Sequence, residues 1–133
     1  MVTHPRVKNT YAESVRELNV YKSAFEMAME IFELSKNFPK EERYSLTDQI
    51  RRSSRSICAN LAETWRKRKY INVFRNILTD CLREASETQT WLEFALRCGY
   101  ITEGQFEELD KRYEHISAML AAMEKKAESF CKS

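Results

Sequence analysis

A chain of 133 residues, 43% of them hydrophobic, is long enough for one domain that buries roughly two-thirds of its unfolded surface, so folding requires neither disulfides nor a metal. Its 22 basic and 20 acidic residues leave a net charge of only +2, which argues against a general affinity for polyanions. No apolar run approaches the roughly 20 residues that span a membrane, and MVTHPRVKNT at the amino end lacks the apolar core of a signal peptide.

Residues 1–15 are polar and are expected to form a loose arm, and residues 16–133 one helical domain. The first helix is read from Tyr21, Ala24, Ala28, Ile31, Ser35 and Phe38, spaced alternately by three and four, with Phe25 and Phe32 widening the face. Pro39 ends it, because a residue before proline resists helical geometry. Ser45, with Asp48 three positions later, resembles a capping pair for the second helix. Its seam is Leu46, Ile50, Ser53, Ile57, Leu61 and Thr64. A break is expected within residues 65–70. Ile71, Phe74, Leu78, Cys81, Ala85, Thr88, Leu92 and Ala95 then form the seam of a third helix, closed by Gly99. Thr102 and Gln105 form a capping box for a fourth. Its seam runs through Phe106, Leu109, Tyr113, Ile116, Leu120, Met123, Ala127 and Phe130. Four helices of roughly 20 to 28 residues with short links predict an all-α fold, an antiparallel up-down-up-down four-helix bundle.

The second helix concentrates the charge. Residues 49–69, QIRRSSRSICANLAETWRKRK, carry seven cations and one carboxylate, a net +6; the rest of the chain, with 15 cations and 19 carboxylates, is net −4. At 100° per residue, Arg51, Arg52, Arg55 and Arg66 lie opposite the seam. A charged outer face is what any bundle helix presents. Two features favour a ligand: the near absence of acidic residues from this face, and Arg66-Lys67-Arg68-Lys69 beside Trp65 and Tyr70, a mixture that suits phosphates and unstacked bases. Arg75, one turn into the third helix, extends the group. A third stripe, Gln49, Ser56, Asn60, Glu63 and Lys67, flanks the apolar face. With Trp65 it reads either as a subunit interface or as an intramolecular polar network. In both readings the arginines stay out of the core.

Catalytic and metal chemistry find no support. There is no glycine-rich phosphate loop and no GxSxG elbow. The Glu-x-x-His pairs of di-iron bundles never occur. Cys58, Cys81, Cys98 and Cys131 form no CxxC, and His4 and His115 lie far from them in sequence. Four reduced thiols, no cofactor, no metal and a cytoplasmic location are expected.

FPKEERYSLTDQIRRSSRSICANLAETWRKRK resembles the signature of the four-helix-bundle family of ribosomal-RNA intervening-sequence proteins, related to accessory proteins of diversity-generating retroelements. The matching residues are Phe38-Pro39, Glu42-Arg43-Tyr44, Gln49, Arg51-Arg52, Ser56-Ile57 and Asn60-Leu61-Ala62-Glu63. LNVYKSAFEMAMEI resembles the family's first helix and ETQTWLEFALRCGYI the end of its third. Thr64 departs from the pattern, which often has glycine there, and implies a straighter or longer end to the second helix. The resemblance implies a homopentamer with a central channel, and nucleic acid or a protein such as a reverse transcriptase as partner. Two functions follow as expectations. One is a non-enzymatic, oligomeric binder of nucleic acid, RNA favoured, acting through Arg51, Arg52, Arg55, Arg66, Lys67, Arg68, Lys69 and Arg75. The other is a protein-interaction scaffold whose arginines meet neighbouring subunits or an acidic partner.

Overall fold

The computed structural model describes residues 14–131, and among them every regular element is a helix. The expected arm lies outside the described residues except at its end. There Ser14 accepts a hydrogen bond from the Arg16 amide and caps a 3-10 turn over Val15–Glu17. Helices α1 (Asn19–Ser35), α2 (Leu46–Arg66), α3 (Ile71–Arg97), α4 (Glu103–Lys125) and the short α5 (Ala127–Cys131) follow. The four long ones pack as a bundle, α2 against α1 and α3, and α4 against α3 and α1.

The seams predicted from spacing form the core. All six seam positions of α2 are buried, and so are Phe74, Leu78, Cys81, Ala85, Thr88, Leu92 and Ala95 of α3. Full burial of a side chain such as Ile57 or Leu61 contributes about 2 kcal/mol. Polar seam residues find partners across the helix pair. The Thr64 hydroxyl donates to the Phe74 carbonyl at 2.9 Å, and the Ser53 and Thr88 hydroxyls lie 2.8 Å apart. Cys81 Sγ stands 3.7 Å from the Ile57 carbonyl. The bond at Thr64 explains how α2 continues to Arg66: the residue in the glycine position is buried and tied to α3.

Several helix ends follow local chemistry. The α2–α3 turn spans residues 67–70, inside the predicted break. Gly99 has φ of +81°, a left-handed conformation that disfavours any Cβ. Thr102 and Gln105 form the reciprocal capping box.

Four expectations need correction. Ser45 does not cap α2 with its side chain. Glu42, in a 3-10 turn over Lys40–Glu42, does so: its Oε1 accepts from the Leu46 amide at 3.3 Å and from the Ser45 hydroxyl at 2.6 Å. A carboxylate reaching the first free amides also suits the positive end of the helix dipole. The fourth helix breaks at Lys126, and α5 brings Phe130 against Trp65 and Phe74, with ring centroids 6.0 and 6.1 Å apart. Phe25 does not widen the buried face of α1; its side chain is exposed. At 17 residues, α1 is also shorter than expected.

Candidate nucleic-acid interface

The amphipathic pattern of α2 places its seam inward, so its basic residues are left to the surface and the flanks. Arg51 sits on the α1 flank. Its Nε donates to Ser35 Oγ at 2.8 Å, and its guanidinium lies 4.8 Å from the Phe32 ring centroid. Ser35 in turn donates to the Phe32 carbonyl. Arg51 is therefore half-buried and partly structural. Arg55 also lies over Phe32, at 5.5 Å, but is exposed and has no carboxylate partner among the described residues. Arg52 is exposed, with only Asp48 one turn away at 3.9 Å. An exposed pair of that kind contributes about 0.3–0.5 kcal/mol, too little to withhold Arg52 from a phosphate.

At the far end of α2, Arg66, Lys67 and Lys69 are exposed, and none meets a carboxylate among the described residues. Lys69 lies 6.0 Å from the ring of Tyr70, which is 56% exposed. Arg68 is different. It packs 3.9 Å from the Trp65 ring centroid and its Nε donates to the Trp65 carbonyl at 2.8 Å. Arg75 is half-buried, its Nε 3.3 Å from Glu124 Oε2 on α4. Of the eight cations read from the sequence, Arg52, Arg55, Arg66, Lys67 and Lys69 are thus available, and Arg51, Arg68 and Arg75 have partners inside the bundle.

Trp65 is only 5% exposed and packs in the core, so its ring is not a free stacking surface. Its indole Nε1 has no hydrogen-bond partner among the described residues. Gln49 and Glu63 are exposed, and Ser56 and Asn60 half-buried; none of the four side chains hydrogen-bonds within the described residues. The intramolecular network expected as one alternative is therefore absent there. Gln49 instead lines an open groove of about 390 Å³, together with Glu42, Tyr44, Ser45, Leu46, Trp91, Phe94 and Cys98. Tyr44 and Phe94, 85% and 53% exposed, stand at this groove. Spacing on α3 places Trp91 and Phe94 beside one another but off the seam, which was the only sequence signal for it. Phe32 also collects cations: Lys36, four residues on, is a local partner, whereas Arg51 and Arg55 come from α2 and left no local signal.

Burial pushes the Cys58 thiol up to about 11 and the Cys81 thiol up to about 12. Both are poor nucleophiles. Glu42 is held below the usual carboxylate range by hydrogen bonds from Ser45 and Tyr100. Tyr100, bonded to Glu42 Oε2 at 2.9 Å, is raised to about 12. No group of three or more His, Cys, Asp or Glu is placed to hold a metal among the described residues, and no described helix is long and apolar enough to cross a membrane.

The chain is similar to a protein of unknown function from the S23 ribosomal protein family of Bacteroides thetaiotaomicron, known from a crystal structure. The two share 33% identity with a TM-score of 0.71, over 80% of this chain and 95% of that one. No curated protein matches the chain. The family model described as 23S rRNA-intervening sequence protein matches residues 16–122. By that match, and by the basic helix and bundle just described, the chain belongs to the 23S rRNA-intervening sequence protein family.

Proposed function

We propose that this protein is a non-enzymatic, oligomeric nucleic-acid-binding protein that grips RNA through the basic face and end of α2. One observation carries the reading: Arg66, Lys67 and Lys69 crowd one end of the bundle, outnumbering the one nearby carboxylate of their helix, Glu63, and none of them forms an ion pair among the described residues. Ordinary solvated helix faces mix both signs in i, i+4 pairs. The bundle is antiparallel and up-down-up-down; opposed contacts 64 to 74, 57 to 81 and 53 to 88 support that sense for α2 and α3. Phosphate contacts dominate, since a flat helix face offers no wedge for reading base edges.

The test is a salt titration of RNA binding by the wild type and by the triple variant Arg66→Glu, Lys67→Glu, Lys69→Glu. Arg68 is spared because it packs on Trp65. The wild type should show a log–log salt slope of roughly −0.7 per phosphate contact on single strands. The variant should remain folded and lose binding at moderate salt. Equal binding by both proteins, or no binding by the wild type at low salt, refutes the proposal.

A second reading, a scaffold built on subunit contacts, is favoured by the groove that Gln49, Tyr44, Trp91 and Phe94 line. It concerns a different surface from Arg66–Lys69, and the two roles coexist in an oligomer.

A further inference from the structure

We propose that the outer face shared by α1 and α2 binds a single-stranded nucleic acid, with backbone phosphates on Lys36, Arg55 and Arg66 and a base stacked on Phe25. This rests on the nucleic-acid reading above and adds the strand class, its path and the stacking residue.

The first anchor is a cation cluster around one ring. Lys36 Nζ and the Arg51 guanidinium each lie 4.8 Å from the Phe32 centroid, and the Arg55 guanidinium 5.5 Å. The carboxylate that meets this cluster is Glu33, 3.2 Å from Lys36. Three positive charges beside one carboxylate repel one another, and a phosphate relieves that repulsion. The second anchor is Arg66. It lies eleven residues after Arg55, about 20° around the helix from it and about 16 Å along the axis. Ala59 and Ala62 are on the stripe between them, so no bulky side chain interrupts the path.

The middle of the path is supplied by α1. Phe25 precedes Phe32 by seven residues and shares its stripe, about 10 Å away along the axis. Arg51 reaches both Ser35 and Phe32, whereas Arg55, one turn later on α2, reaches Phe32. Contacts thus step back along α1 as they step forward along α2. This brings Phe25 beside the Ala59–Ala62 stretch, between the anchors. The ring is 50% exposed, backed by Tyr21 with centroids 5.9 Å apart. An open ring flanked by cations that outnumber their carboxylates is the combination that holds unpaired bases and their backbone without sequence preference. A duplex keeps its bases stacked on one another and cannot use the ring.

The test is fluorescence anisotropy with a labelled oligouridylate of about ten nucleotides, and with a duplex of the same length as competitor. Phe25→Leu should weaken single-strand binding about 5- to 100-fold, the range expected for loss of one stacked base, without changing the salt slope. Phe25→Tyr keeps a ring and should bind like the wild type. The double variant Lys36→Glu, Arg55→Glu should lower both affinity and salt slope, since it removes phosphate contacts. The duplex should compete poorly. If Phe25→Leu and the double variant both bind like the wild type, or the duplex competes as well as the single strand, this inference falls while binding at Arg66–Lys69 stands. If the wild type binds neither strand nor duplex at low salt, both readings fall. Because Phe25 is exposed, its variants should melt like the wild type, so a loss of binding is not a loss of fold.

Discussion

Tyr113 is the largest fully buried side chain among the described residues, and its hydroxyl has no hydrogen-bond partner there. Burial raises its phenol above the ordinary value. An unsatisfied buried hydroxyl costs about 1–3 kcal/mol, and a phenylalanine fills nearly the same volume. Tyr113→Phe should therefore stabilise the protein by about 1 kcal/mol, raising the melting temperature by a few degrees. A fall in melting temperature would mean that the hydroxyl has a partner after all. Glu42 is the opposite case, a carboxylate with three donors: Ser45, Tyr100 and the Leu46 amide. Its folded pKa is lowered. The stabilisation is thus fully present above the unfolded value and is lost as pH falls through the folded one. Because Glu42 is largely solvated, solvent screening keeps the effect small. Glu42→Gln should flatten the acid limb of melting temperature against pH between about pH 5 and 2. An unchanged acid limb would assign the acid sensitivity to other carboxylates.

Among the elements, what could be read from the sequence was whatever depends on spacing within one helix. The seams of α2 and α3, the α2–α3 break, the left-handed Gly99 and the Thr102–Gln105 capping box all follow from local patterns, and the structure contains each of them. What could not be read depends on a second element. Arg51 points away from the seam of its own helix, yet Phe32 and Ser35 of α1 capture it. Trp65 reads as an aromatic beside a basic run, yet Phe130 of α5, at the end of the last seam, packs against its ring. Ser45 has the right residue type and spacing for a cap, but Glu42 from the preceding turn takes the amide first. These two helix starts separate experimentally. Thr102→Ala should destabilise by about 1 kcal/mol, since it removes half of a reciprocal cap. Ser45→Ala should cost clearly less, because Glu42 continues to hold the Leu46 amide. Chemical denaturation of both variants measures the difference, and equal losses would restore Ser45 as the cap.

At the scale of the molecule, the five available cations are too few to hold RNA tightly as one copy. Each exposed contact is screened by salt, and non-specific affinities resting on such contacts are typically weak. A ring of copies changes this, because once one subunit is bound the others engage at high effective concentration. The groove suited to building such a ring is lined by no lysine or arginine. Tyr44 and Phe94 are exposed around an open groove, and Gln49 and Asn60 have no hydrogen-bond partner within the described residues. Large exposed apolar side chains rimmed by polar groups mark contact surfaces. A heterologous contact, with this groove meeting a different face of the next copy, would form a ring of the kind the family resemblance implies where its rotation closes. The wild type should then scatter light as a multiple of 15.8 kDa at micromolar concentration. Phe94→Glu should shift it to the 15.8 kDa monomer, since a carboxylate left at a closed apolar contact costs several kcal/mol. The same variant should lose RNA affinity by about 100-fold or more while every basic residue remains. Asn60→Leu should leave the melting of such a monomer unchanged, because its amide bonds nothing within the described chain. A wild type that is already monomeric removes the ring. A Phe94→Glu monomer that binds RNA as tightly as the oligomer would show instead that one copy of the basic face is sufficient.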